Sequence, residues 1–362
     1  MGRDARATRQ VPVIAFTGGG SAGHITPNLA LIEHAREAGF EAIYFGTRGG
    51  MEADLVPEAG VPFFAIPSER LRRYFDWRNF SMPLIVIVGI LVATWRIARL
   101  RPALLFSKGG FAALPVVIGA WLNRVPVFIH ESDRSLGLAN RLSLPFTTKL
   151  CVADKRALRG QKKGIFVGTP LRRAFSQPDP SWAYETFSLD RDRPILLVLG
   201  GSQGARSINE AVARGLDQLL SRYQVVHLCG TGKRVIENDG REGYRQIEYL
   251  SEGFPSLCAA AHLVVSRAGA NSIAELQLLK KPALLIPLSA QSSRGDQALN
   301  AARFVEAGFG LSLKDEALDG ARLVESLEAL EESYASHLTA LEAAPNGDGS
   351  GTILDLIKRA LR

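Results

Sequence analysis

Short apolar runs alternate along the chain with stretches whose apolar residues recur every three or four positions. The runs at 11–17, 41–45, 62–66, 104–107, 126–130, 149–152 and 164–167 are rich in β-branched and aromatic residues and have the length of strands. Amphipathic stretches separate most of them. One, at 26–38, carries Pro27 early in its first turn and Gly39 as its stop. The pattern restarts at Pro194, with runs at 195–199, 224–228, 245–249, 262–265 and 283–286. Alternating strands and helices predict parallel sheets with helices on both faces, and two such series predict an α/β chain of two Rossmann-like domains. The expected bounds are 1–171, then a polar, proline-bearing linker at 172–193, then 194–349. If the two domains face one another, their ligand-binding edges share a central cleft.

Each half opens in the same way, with a buried strand, a glycine turn and a helix. The first turn holds Gly18, Gly20 and Gly23, and His24 follows it; the second spans 200–204 and ends in Gly204. Glycines at such a place let backbone N–H groups approach an anion, and the helix start adds a favourable dipole. Taken literally, Gly18, Gly20 and Gly23 spell the dinucleotide fingerprint. The acid usual at the end of the second strand is replaced by Arg48, which leaves an NADP-dependent oxidoreductase as a rival reading. A dehydrogenase has no need of the second turn. Gly232-Lys233 lacks the leading glycine of a P-loop, since His227 stands there. Asp190 and Asp192 look like a chelating pair but lie in a polar stretch before a proline, and no metal site is expected.

The length of 362 residues suits two or three domains, and 46% hydrophobic with 22% charged residues is the balance of a folded globular protein. A formal charge of +7 is too mild and too dispersed for a nucleic-acid partner, and suits a phosphorylated ligand or an anionic membrane surface. Cys151, Cys229 and Cys258 are scattered through apolar runs, as expected of buried thiols in a reducing cytoplasm. The basic N-terminus is not followed by the apolar run of a signal peptide. The run 82–95 falls short of the ~18 residues of a spanning segment and leads into Arg96, Arg99 and Arg101. It reads as a very apolar helix, either buried or lying at a membrane interface.

Eight strings in order then carry a resemblance. They are GGGSAGHITPNLAL from Gly18, MEADLVPEAG from Met51, SKGGFAALPVVIGA from Ser107, HES from His130, GLANR from Gly137, VGTPLR from Val167, GGSQGAR from Gly200 and RAGANSIAE from Arg267. Together they resemble the family of bacterial transferases that add N-acetylglucosamine to the lipid-linked muramyl-pentapeptide of peptidoglycan synthesis. The resemblance implies a GT-B architecture, with the acceptor on the first domain and the donor mostly on the second. It implies a last helix over about 350–362 packed back on the first domain. The implied reaction is transfer from UDP-N-acetylglucosamine to the muramyl 4-hydroxyl of undecaprenyl-diphospho-muramoyl-pentapeptide, with inversion and without metal or cofactor.

Such a transfer needs a base for the acceptor hydroxyl, stabilisation of the departing diphosphate, and positioning of both sugars. His24 is one candidate base, and the matched loop carries a histidine there; Glu131, after the strand 126–130, is the other. The resemblance puts Ser21, Ala22 and Gly23 in the donor-contacting loop. Asp133 stands where many members have a sugar-contacting asparagine, and an ionised aspartate accepts but cannot donate. Arg172 is placed to clamp a phosphate, Ser202 to contact the diphosphate, and Leu250 to pack on uracil. Ala270, Asn271, Ser272, Ile273, Ala274 and Glu275 match the nucleotide loop, with Glu275 accepting from the ribose hydroxyls. Gln297 matches a sugar contact, although the glutamine expected before it is Asp296. Because the acceptor's lipid stays in the bilayer, peripheral docking on the cytoplasmic face of the plasma membrane is expected. Arg70, Arg72, Arg73, Tyr74, Phe75, Trp77 and the run 82–95 with Arg96 and Arg99 would supply the surface.

Overall fold

The computed structural model describes residues 11–69, 78–201, 204–289, 295–345 and 347–362, with the backbone alone at 78–81. Two compact units divide the chain, Met1–Pro170 with Gly349–Arg362 and Leu171–Asp348. The first contains β1 (Val13–Thr17), α1 (Ala22–Glu37), β2 (Glu41–Gly46), α2 (Glu52–Glu58), β3 (Phe63–Ala65), α3 (Arg78–Leu100), β4 (Leu104–Ser107), α4 (Ala113–Leu122), β5 (Val127–Glu131), α5 (Leu138–Ser143), β6 (Lys149–Val152) and β7 (Gly164–Phe166). The second contains α6 (Pro180–Phe187), β8 (Ile195–Leu199), α7 (Arg206–Arg222), β9 (Gln224–Leu228), β10 (Tyr244–Ile247), α8 (Phe254–Ala260), β11 (Leu263–Ser266), α9 (Ala270–Leu278), β12 (Ala283–Leu285), α10 (Asp296–Glu306), β13 (Gly310–Ser312), α11 (Gly320–Glu332) and α12 (Tyr334–Ala343). The last helix, α13 (Ser350–Ala360), belongs to the first unit again.

Both sheets are wholly parallel, in the orders β3-β2-β1-β4-β5-β6-β7 and β10-β9-β8-β11-β12-β13. Strand order reverses beside β1 and β4 in the first and beside β8 and β11 in the second. Those two places are the switch points, where an open α/β sheet leaves a crevice beyond its C-terminal strand ends. The central strands β1, β4, β8 and β11 are mostly apolar because both faces are covered. In β1 the two-residue alternation sorts the faces. Ile14 and Phe16 join Ile25 and Leu31 of α1 with Ile353 and Ile357 of α13, whereas Ala15 joins Ile97 of α3 with Val116 and Val117 of α4. In β8, Leu196 and Val198 pack on α7, and Ile195 and Leu197 pack with Leu257 of α8 and Phe304 of α10.

Several elements differ from the pattern's expectation. Helix α1 begins at Ala22, not at residue 26, so His24 lies in its first turn and Pro27 in its second. The backbone stays helical through Gly23, where the glycine signal suggested a turn. Gly39 does end this helix region, with φ of +84°. The segment from Arg172, expected as a linker, folds into the second unit: Phe175 packs edge-on against Phe254, and Ala183 of α6 is fully buried in the core. Its apolar side chains are too few for a strong pattern but suffice to dock one short helix. β13 was not anticipated; three residues carry no readable period.

Helix α3 is longer than the apolar run. Over Met82–Leu100, 19 residues with mean hydropathy 1.8, it is long and apolar enough to cross a membrane by length and composition, so the run does not fall short as expected. One of its faces, however, covers the first sheet. Ala93 and Ile97 are buried in the core, and a Cβ on Gly89 would meet the Pro67 carbonyl oxygen at 2.3 Å. The opposite face is bare: Leu84, Leu91 and Trp95 are 66%, 64% and 62% exposed, with Ile87 and Val88 beside them. The spacing of these five follows one side of a 3.6-residue helix. The expected residues at 70–77 lie outside the described ones.

Candidate active site

At the first switch point the turn after β1 is held from several sides. Tyr44 on β2 donates to the Gly18 carbonyl oxygen at 2.7 Å, and the Asn28 amide donates to Thr17 O at 3.0 Å and to the Tyr44 hydroxyl at 3.1 Å. The Glu52 side chain is fully buried beneath the turn. Its carboxylate accepts from Gly20 N at 3.3 Å, Thr47 N at 3.1 Å and Thr47 Oγ1 at 2.7 Å. Gly20 has φ of +85°, and a Cβ there would meet Phe111 at 2.4 Å, so no other residue fits. A Cβ on Gly110, in the turn after β4, would meet the Gly19 carbonyl oxygen at 2.2 Å. The two turns therefore lie backbone against backbone. Ser21 is exposed, with extended dihedrals at the N-cap of α1 and no side-chain cap bond; Ala22, Gly23 and His24 form the first turn, without an acidic residue. No carboxylate of the first turn therefore opposes the positive end of the helix.

The loop after β5 completes this edge. Glu131 is only 6% exposed. One of its oxygens accepts from Asp133 N at 3.2 Å, and the other from Gly137 N at 2.9 Å and Asn140 Nδ2 at 3.0 Å. Three donors on one carboxylate make Glu131 the organiser of its loop. His130, fully buried, faces Gly168 O through Nε2 at 2.8 Å and the Lys108 ammonium through Nδ1 at 2.9 Å. Since an ammonium can only donate, Nδ1 is the acceptor and Nε2 carries the proton. Burial, then the Lys108 charge, holds the ring well below its usual pKa, against the Gly168 contact, so it is neutral.

At the second switch point the turn after β8 is equally tight. A Cβ on Gly204, where φ is +68°, would meet the Cys229 carbonyl oxygen at 2.0 Å. Helix α7 then starts without a side-chain cap bond or an acidic residue in its first turn. Ser202 lies outside the described residues. After β11, Arg267 is buried and braces the neighbouring loops, donating to Ile286 O at 3.1 Å, Asp315 Oδ1 at 2.8 Å and Ser207 Oγ at 2.9 Å. Gly269 caps α9, whose first turns carry Ala270, Asn271, Ser272, Ile273, Ala274 and Glu275. Burial pushes the Glu275 carboxyl up to about 7, and the Arg172 charge is the force that opposes it. Arg172 donates to Ser251 O at 3.3 Å and lies over the Phe175 ring, 5.4 Å from its centroid. Its Nε is buried without a hydrogen-bond partner among the described residues. Leu250, next to Ser251, packs on the core of this unit. Gln297 on α10 accepts from Leu288 N at 2.9 Å, which leaves its amide group to donate.

Arg172, Glu275 and α9 are thus assembled at one end of one sheet, and Ser21 to His24, Glu131 and Asp133 at the corresponding end of the other. Two residues of this frame, Glu52 and Lys108, were not singled out from the sequence. Both lie in the strings from Met51 and Ser107, but a helix-start glutamate and a loop lysine ordinarily read as solvated surface.

Two Rossmann-like units with an anion-ready switch point in each define the GT-B class of glycosyltransferases. The N-terminal domain of glycosyltransferase family 28 matches residues 14–152, and its C-terminal domain matches residues 195–353. The chain is 42% identical over 349 residues to a UDP-N-acetylglucosamine--N-acetylmuramyl-(pentapeptide) pyrophosphoryl-undecaprenol N-acetylglucosamine transferase of Clostridium perfringens, covering 96% of this chain and 98% of that one. It is 43% identical over 348 residues to the transferase of the same description in Clostridium botulinum, with the same coverage. The crystal structure of Acinetobacter baumannii MurG superposes with a TM-score of 0.74 at 21% identity, over 96% of this chain and 99% of that one. The chain belongs to glycosyltransferase family 28 and, within it, to the MurG family. This sets aside the oxidoreductase reading of Gly18, Gly20 and Gly23.

Proposed function

We propose that the chain transfers N-acetylglucosamine from UDP-N-acetylglucosamine to the muramyl 4-hydroxyl of undecaprenyl-diphospho-muramoyl-pentapeptide, with inversion at the anomeric carbon. The observation that carries the donor half is the Arg172 charge acting on the buried Glu275 carboxyl in the second turn of α9. A guanidinium whose buried Nε has no partner among the described residues is suited to a phosphate, and a carboxylate to two ribose hydroxyls. Leu250 packs beside the base, and Gln297 donates to a sugar hydroxyl. The open start of α7, with Ser202, takes up charge on the departing diphosphate without a metal.

On the acceptor side, His24 is the group we assign to the proton of the attacking hydroxyl. It sits in the first turn of α1, and Glu131 has its oxygens committed to three loop donors. Ser21, Ala22 and Gly23 line the same turn, and Asp133 accepts from a sugar hydroxyl. The bare face of α3 docks on the anionic cytoplasmic membrane, with Arg96 and Arg99 at its end, so that the lipid-linked acceptor is met where it resides. The direct test is UDP release from UDP-N-acetylglucosamine with a lipid-linked muramyl acceptor. Release that does not depend on the muramyl acceptor, or binding of NADPH in place of UDP, would refute the assignment.

A further inference from the structure

Lys108 is the least expected charge in the first unit. It follows the last residue of β4, immediately before the glycines that abut the first turn, and is 2% exposed. Its ammonium donates to His130 Nδ1 at 2.9 Å and to Ser132 Oγ at 2.5 Å. His130 is neutral, so neither partner offsets the positive charge. The carboxylates whose charges act on it are those of Glu131 and Asp133, on the very loop its hydrogen bonds grip. Burial is the largest influence on its proton and pulls the pKa down. The net result is a pKa lowered only to about 8, with the two carboxylates holding it up against desolvation. The relation is mutual: two acids on one turn repel, and a buried cation beneath them makes the arrangement tolerable.

The structure assigns to Lys108 the role of counter-charge to the 131–133 loop, a positioning residue that allows Asp133, rather than an uncharged amide, to stand at the sugar-contacting place. The role of Asp133 in this statement rests on the function proposed above. Lys108 itself is too buried to touch substrate. It acts by fixing Ser132 and by neutralising the loop, so that Asp133 presents an ionised acceptor in one orientation. An asparagine at 133 would not need the cation, and a lysine at 108 would then be a buried charge with one acid fewer.

This dependence is testable by a cycle of Lys108→Met, Asp133→Asn and the double variant. Methionine keeps the approximate volume and removes the charge. Glu131 is left intact because its three hydrogen bonds would confound the result. Lys108→Met should lower the melting temperature and cut kcat/KM for transfer roughly tenfold or more, with UDP affinity of the second unit unchanged. Adding Asp133→Asn should recover much of both losses. If the double variant shows only the product of the single effects in both readouts, the counter-charge role is wrong. Should Lys108→Met fail to fold, a folded double variant supports the role. Failure of both, with Asp133→Asn folded, shows that Lys108 serves packing alone and overturns it. If Asp133→Asn by itself turns over like the unaltered enzyme while stability still shows coupling, the sugar contact falls and the counter-charge stands.

Discussion

At the scale of single residues, Glu275 makes the sharpest forecast. Its carboxyl in the ligand-free protein lies near 7 because it is buried, against an ordinary value of 4.5. Hydroxyl donors bind the ionised form, so donor binding must expel a proton below that pH. Affinity for UDP-N-acetylglucosamine should therefore rise with pH through the range of about 6 to 8, by up to about tenfold per unit at the acid end. Calorimetric titration checks this, and Glu275→Gln should flatten the profile while weakening binding; an unchanged slope in that variant would exclude the carboxyl. Stability runs the other way. A folded pKa above the unfolded one means the residue's contribution is fully present below 4.5 and lost as pH rises through about 7. At pH 8 Glu275→Gln should thus melt higher than the parent, by a margin worth about 1–3 kcal/mol. His24 and Glu131 separate by a second comparison. His24→Ala should lower kcat roughly 10²- to 10⁴-fold with UDP binding intact. Glu131→Gln should chiefly lower the melting temperature, by loosening the loop. The reverse ranking in kcat would move the base to Glu131.

At the scale of elements, the strands were the legible part. β4, β6, β8 and β9 begin and end where their apolar runs do, because buried parallel strands have no polar face to blur their limits. The helix starts were harder to place. Gly18 to Gly23 signalled a loop, yet the backbone is helical from Ala22; the close contacts that call for glycine lie at Gly18, Gly19 and Gly20, before the helix. The strings pointed to candidate residues at the glycine turns and at the start of α9. Glu52 and Lys108 were not among them, because their importance comes from burial against residues 32 and 22 positions away, Gly20 and His130, which no local period records. Helix α3 shows the same limit. Its apolar character was plain, but which face is covered depends on α4 and the sheet. The exposed side of α3 is the surface proposed above for membrane docking. Replacing Leu84, Leu91 and Trp95 together by serine should abolish sedimentation with anionic vesicles at low salt, while turnover on a water-soluble acceptor analogue persists. Retained sedimentation would move the docking surface elsewhere.

At the scale of the whole molecule, the chain's two crossings make the first unit discontinuous. It is left after Pro170 and entered again at Gly349, and α13 supplies Ile353 and Ile357, both fully buried, to the same core as Ile14 and Phe16 of β1. The turn after β1 thus depends on packing contributed by the last fourteen residues of the sequence. Truncating either isoleucine to alanine should cost about 2–5 kcal/mol, the usual toll of an unfilled core site. Ile357→Ala is the cleaner choice, because its side chain lies within the cluster and no polar partner is lost. Hydrogen exchange followed by mass spectrometry locates the damage. Amides of β1, β2 and β4 should lose protection, whereas those of β8, β9 and β11 should keep it, and UDP should add protection only to the latter set. Activity should fall with the first set, through the turn that carries His24. Equal loss of protection in both sheets would show that the two units unfold as one, and the division of labour between them would have to be redrawn around a single cooperative core.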